Sequence, residues 1–206
     1  MHIPDGFLSI PVMISTNIVS AGIIYPSIKK LNKNMTTRRI PLIGIFAAFI
    51  FTAQMLSFPV LGGTSVHISG AVLIASILGP FSALIITSSA IFLQSILFQH
   101  GGLLTMGANI LNIAIIQSLL GYAIYSIFSK KNKVLGLAFA AFSTKIIAAT
   151  FCAFELILSQ TIPLKAGLTA MLSSHFIAGL IEGAVLSSIY LVITRLRPEL
   201  LELKKI

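Results

Sequence analysis

Apolar runs of 18 to 31 residues recur along this chain, at 7–28, 40–57, 68–98, 109–128, 134–158 and 169–194. About 20 apolar residues in a helix cross the ~30 Å hydrocarbon core of a bilayer. Only 9% of the residues are charged, against roughly 25% in soluble domains. At 56% hydrophobic residues and a mean hydropathy of +1.01, the sequence reads as an all-α polytopic membrane protein, with 1–206 as one membrane-embedded domain. No stretch is polar enough for a nucleotide-binding module and no G-x-x-x-x-G-K-[ST] loop occurs. This chain is therefore expected to bind no ATP, and any ATP energy must come from another protein.

The net charge of +9 does not point to nucleic acid, because the cations are grouped. Twelve of the fourteen Lys and Arg lie in three clusters: Lys29, Lys30, Lys33, Arg38 and Arg39; Lys130, Lys131 and Lys133; Arg195, Arg197, Lys204 and Lys205. Each cluster flanks apolar runs, the positive-inside signature of cytoplasmic loops. That rule constrains the topology. Between the first two clusters the chain must cross an even number of times. The run 68–98 is broken at Gly79-Pro80, and splitting it there satisfies the parity. Seven helices are expected, the third and fourth at about 66–79 and 81–98, with the N-terminus outside and the C-terminus cytoplasmic. Residues 58–67, with Pro59 and Gly62-Gly63, read as non-helical backbone buried in protein or lining a wet cavity. The lone Cys152 excludes a disulfide framework.

The start, Met1-His2-Ile3-Pro4-Asp5-Gly6, is a chelating arc. The Met1 amine, the His2 backbone nitrogen and His2 Nδ1 would bind one ion in a plane if the amide deprotonates. Such nitrogen coordination suits Ni(II) or Cu(II) better than Zn(II). No basic n-region precedes an apolar core here, so residue 1 is expected to remain in the mature protein. A histidine at position 2 is also too bulky for ordinary removal of the start methionine.

In the expected topology His2, His67, His100 and His175 all lie toward the outer face. His67 is the choice for the fourth nitrogen, weighed against an interfacial histidine satisfied by water. His100, before Gly101-Gly102, reads more readily as a loop histidine. His175 is either an outer-shell partner of the ligands or a packed interhelical histidine. Gln94 and Asn109 lie nearest the outer mouth among several amides; they either orient ligands or bond between helices. Lys145 and Glu182 fall near the middles of two helices and are expected to neutralise each other, a proton relay being the alternative. Only five acids occur, so a carboxylate-lined conduit for hard cations is disfavoured. Neither H-E-x-x-H nor a nucleophile elbow is present, so no enzyme is expected.

These residues resemble the CbiM/NikM family, the substrate-binding components of nickel and cobalt energy-coupling factor (ECF) transporters. The likeness is carried by Met1-His2-Ile3-Pro4-Asp5-Gly6-Phe7-Leu8, by Ser65-Val66-His67-Ile68-Ser69-Gly70, by Gln99-His100-Gly101-Gly102-Leu103 and by Gly107-Ala108-Asn109. His175 with Gly179-Leu180-Ile181-Glu182-Gly183 is similar to the last-helix pattern. The resemblance implies seven helices, an N-terminus inserted from outside, and Met1, His2 and His67 as ligands to Ni²⁺ or Co²⁺, the transported substrate. It implies a membrane coupling protein and two cytoplasmic ATPases as partners, sometimes with a small additional membrane subunit. The alanine-spaced docking patch of related components has no clear counterpart; the first helix offers only Thr16-xxx-Ser20 and Ala21-Gly22. The expected function is ATP-driven import across the cytoplasmic membrane, with an autonomous secondary transporter or channel as the alternative.

Overall fold

The computed structural model describes residues 1–33, 36–37, 39–60 and 64–200. Arg38, Lys204 and Lys205 of the basic clusters and residues 61–63 of the expected break lie outside the described residues.

The described residues fold into seven helices and one small hairpin. Helix α1 is Ile10–Lys33 and α2 is Arg39–Met55. α1 runs past the end of its apolar stretch, because Lys30 and Lys33 in its last turn complement the C-terminal end of the helix dipole. Strands β1 (Ser57–Val60) and β2 (Thr64–His67) pair antiparallel, Ser57 opposite His67 and Val60 opposite Thr64. The expected non-helical break is thus an ordered hairpin, and the all-α expectation is corrected to that extent. Backbone away from water must find partners, and the ladder supplies them.

Helix α3 is Ala71–Leu78, with every residue buried. It starts five positions later than expected, since residues 64–67 are committed to β2. Eight residues make about 12 Å of helix, so α3 alone is too short for the hydrocarbon core. Gly79, at φ +89°, turns the chain into α4 (Pro80–Phe98), with Pro80 at the first helical position. The break at Gly79-Pro80 is where the charge parity requires one. Helix α5 is Met106–Phe128; its stretch Ile110–Leu120 is wound in wide π turns. Helix α6 (Lys133–Leu158) is capped by Asn132, whose Oδ1 accepts from the backbone of Val134 at 2.9 Å and Leu135 at 3.0 Å. Helix α7 is Leu164–Leu196 and begins five residues before the expected 169.

Among the described residues α1, α4, α5, α6 and α7 are long and apolar enough to cross a membrane. The chain is a multi-pass membrane protein. Large apolar side chains such as Ile18, Phe98, Phe154 and Val192 lie exposed on its outside, as lipid-facing positions require. The interior holds two apolar clusters. One packs α3 against Phe46, Ile50, Leu137 and Leu186. The other is built partly from the chain start: Met1, Ile3 and Leu8 pack with Ile113, Ala149, Cys152 and Leu156.

Candidate metal centre

The first residues form a plug in the helix bundle. Met1 and Ile3 are fully buried and His2 nearly so. A segment without helical bonds at this depth needs other partners, and the turn between α4 and α5 provides them. Ile3 N–H donates to Asn109 Oδ1 (2.7 Å). Ile3 O accepts from Asn109 Nδ2 (3.0 Å), Thr105 Oγ1 (2.6 Å) and Gly102 N–H (2.9 Å). The Asp5 carboxylate accepts from the backbone of Leu103 (3.1 Å), Leu104 (2.9 Å) and Thr105 (3.1 Å). Gly102 is required for this approach, because a Cβ there would stand 2.0 Å from Asp5 Oδ1. At its far end the plug is tied by Thr161 Oγ1 donating to Phe7 O.

This seating puts His2 between two other imidazoles. Its ring centroid lies 4.7 Å from that of His67 and 4.1 Å from that of His100. The Met1 amine donates to Ser65 O, on the same strand as His67. His67 Nδ1 faces its neighbour Ile68 O at 3.2 Å. A carbonyl can only accept, so Nδ1 carries the proton and Nε2 keeps its lone pair. Among the described residues five buried ring nitrogens have no protein partner, and four of them gather here: Nδ1 and Nε2 of His2, Nε2 of His67 and Nε2 of His100; the fifth is Nε2 of His175 in α7. Buried polar atoms are normally bonded, so orphans gathered in one place call for an absent group.

Burial, assisted by the nearby cation of Lys145 and opposed by Cys152, holds the Met1 amine down to about 4. Burial also keeps His2 well below the usual imidazole range, and the Met1 amine, His100 and Lys145 lower it further. His100, half-buried, is lowered for the same first reason. At neutral pH the site therefore offers an unprotonated amine and neutral imidazoles. Among the described residues no carboxylate bonds these rings. Among the described residues no three His, Cys, Asp or Glu side chains surround one ion position. The nitrogen set needs none, because two of its members, the Met1 amine and the His2 backbone nitrogen, are not side chains. Such donors suit a transition metal rather than Mg²⁺ or Ca²⁺.

Of the remaining expected residues, Asn109 does hold the site together, but through the backbone of Ile3. His100 is a ring neighbour of His2 rather than a bystander in the loop. Gln94 Nε2 donates to Phe51 O at 3.1 Å, tying α4 to α2. His175 is buried in α7, where Nδ1 donates to Met171 O at 2.8 Å, and it makes no ring contact with the other three among the described residues. Lys145 and Glu182 form the expected ion pair, 2.5 Å apart and fully buried. Asp5, Thr105 and Ser65 escape sequence reasoning, since their partners are backbone atoms far along the chain. The one available signal is that Asp5 is the only acid before Glu155.

Comparison with known proteins identifies the family. Residues 2–200 match the family model CbiM, described as the cobalt uptake substrate-specific transmembrane region. The chain is 31% identical over 221 residues to the fused nickel transport protein NikMN of Rhodobacter capsulatus, covering 98% of this chain and 64% of that longer protein. It is 30% identical over 165 residues to the cobalt transport protein CbiM of Acetoanaerobium sticklandii, covering 78% of this chain and 67% of the relative. A crystal structure of a truncated transition metal transporter superposes with a TM-score of 0.89 at 33% identity, covering 95% of this chain and 99% of that one. These relatives are metal transport proteins, not enzymes, and the chain belongs to the CbiM family of substrate-specific transmembrane proteins of cobalt and nickel uptake.

Proposed function

We propose that this chain is the substrate-binding component of an ATP-driven ECF-type importer in the cytoplasmic membrane. It captures Ni²⁺ or Co²⁺ from the outer side and delivers it inward. The observation that carries this reading is the buried cluster of unused nitrogens beside the Met1 amine. In this reading the ion takes the Met1 amine, the deprotonated His2 amide, a His2 ring nitrogen and the His67 ring. His100, partly exposed, lies on the entry side. Planar four-nitrogen coordination favours Ni²⁺. Binding expels the amide proton, so affinity falls with pH.

The N-terminus and the α4–α5 and α6–α7 turns face outside, and the basic ends of α1 and α7 face the cytoplasm. β2, residues 68–70 and α3 together make the third pass, which α3 is too short to make alone. A membrane coupling protein and two cytoplasmic ATPases supply the energy, with a small additional membrane subunit as a further partner.

Reconstitution in liposomes tests the reading. The chain alone should bind Ni²⁺ without accumulating it, and uptake should require the coupling protein, both ATPases and ATP. Uptake by the chain alone, down a gradient and without ATP, would replace this reading with that of an autonomous transporter or channel.

A further inference from the structure

Beneath the metal centre lies a buried ion pair whose contacts run toward His67. Lys145 Nζ donates to the His67 carbonyl at 2.8 Å and meets Glu182 Oε2 at 2.5 Å. Glu182 Oε1 accepts from Ser69 N–H (3.1 Å), Ser69 Oγ (2.6 Å) and Gly70 N–H (3.2 Å). Two side chains from two helices thus bond one carbonyl and two amides of the segment 67–70. Gln54 of α2 adds a bond to Ser69 O at 3.2 Å. Residues 68–70 lie outside both the strand and the helix, and the segment carries a ring of the proposed site. It also follows directly on the strand whose Ser65 carbonyl receives the Met1 amine.

The clamp depends on how closely α6 and α7 approach. Gly179 and Gly183 flank Glu182, and a Cβ at Gly183 would stand 3.0 Å from Ala138 O. Larger residues there would part the helices and the pair. A buried ion pair contributes little stability beyond apolar residues of the same size. What it supplies in this place is direction, because its donors and acceptors are spent on residues 67–70.

We propose that Lys145 and Glu182 are positioning residues for metal binding: their ion pair holds the backbone of residues 67–70 so that the His67 ring stays aimed at His2, and it ties that aim to the packing of α6 on α7. This rests on His67 being a metal ligand. A sliding of α7 along α6 would then shift His67 and loosen the ion, which gives a docked partner a mechanical route to release.

The test uses the full chain in detergent with a free Met1 amine, and Ni²⁺ alone as the probe. The double variant Lys145→Met with Glu182→Leu removes both charges and keeps the volume. It leaves the His67 carbonyl and two backbone amides without partners, so it should unfold somewhat earlier than the parent, yet keep the parent's helix content and bind Ni²⁺ about 10- to 100-fold more weakly, the usual cost of losing a group that orients a ligand. The visible absorption band of planar Ni(II) should weaken or shift, which a purely structural pair would not cause. Ser69→Ala, which spares the ion pair, should lower affinity in the same direction and keeps the test valid if the double variant does not fold. Parental affinity and spectrum in Ser69→Ala and in a folded double variant would overturn the inference. Failure of the parent itself to bind Ni²⁺ would instead overturn the reading of the site.

Discussion

Asp5 and Gly102 show how much of the centre rests on residues that touch no metal. Asp5 bonds three backbone amides of the α4–α5 turn, and Gly102 leaves room for it. Gly102→Ala forces the turn or the plug to move, an overpacking cost of about 1–3 kcal/mol. The expected result is Ni²⁺ binding weakened by about tenfold or more, measured by calorimetric titration, with helix content unchanged. The Met1 amine sets a pH dependence in the metal-free protein. Its usual value of 8.0 falls to about 4 in the plug. The unfolded or released segment therefore takes up the proton first. Seating of the plug is complete above pH 8 and loses about 1.4 kcal/mol per unit as pH falls toward 4. Exchange protection at the Ile3 amide, corrected for intrinsic rates, should drop between pH 8 and pH 5; constant protection would mean that the amine is not held neutral.

At the scale of elements, hydropathy located the long apolar helices better than what folds between them. The Gly79-Pro80 break was legible because topology and helix chemistry agree there. The Lys145–Glu182 pair was legible because two lone opposite charges in apolar helices have few other solutions. The hairpin was not: its strands are four residues each, one contains Pro59, and pairing between them leaves no periodic mark. The early starts of α5 and α7 were missed for a related reason. Met106 and Leu164 become helical through contacts and turns outside the apolar runs. In the proposed centre, the chemistry of the chain start singles out His2 and leaves His67 level with an interfacial histidine until the family resemblance favours it, whereas the bonds that seat Ile3 join positions about a hundred residues apart. His67→Ala should reduce Ni²⁺ affinity beyond the roughly hundredfold that losing an orienting group costs. Gln94→Ala, which removes the bond that ties α2 to α4, should have a smaller effect in the same titration.

For the whole molecule, the proposed orientation places the plug and the turn at Leu103 outside and Lys131 inside. Both residues are exposed, and Cys152 is buried and so silent toward aqueous thiol reagents. Leu103→Cys should be labelled by an impermeant maleimide added to whole cells. Lys131→Cys should be labelled only after the membrane is opened, and the reverse pattern would invert the topology. The proposed function stands on the chain's own first amine as a metal ligand. A Ni²⁺ titration of the purified chain with its amine free is compared with that of the same chain acetylated at Met1 or extended by one residue. The blocked chain should keep its helix content and its thermal transition but lose high-affinity binding. Equal binding by the free and blocked chains would contradict it.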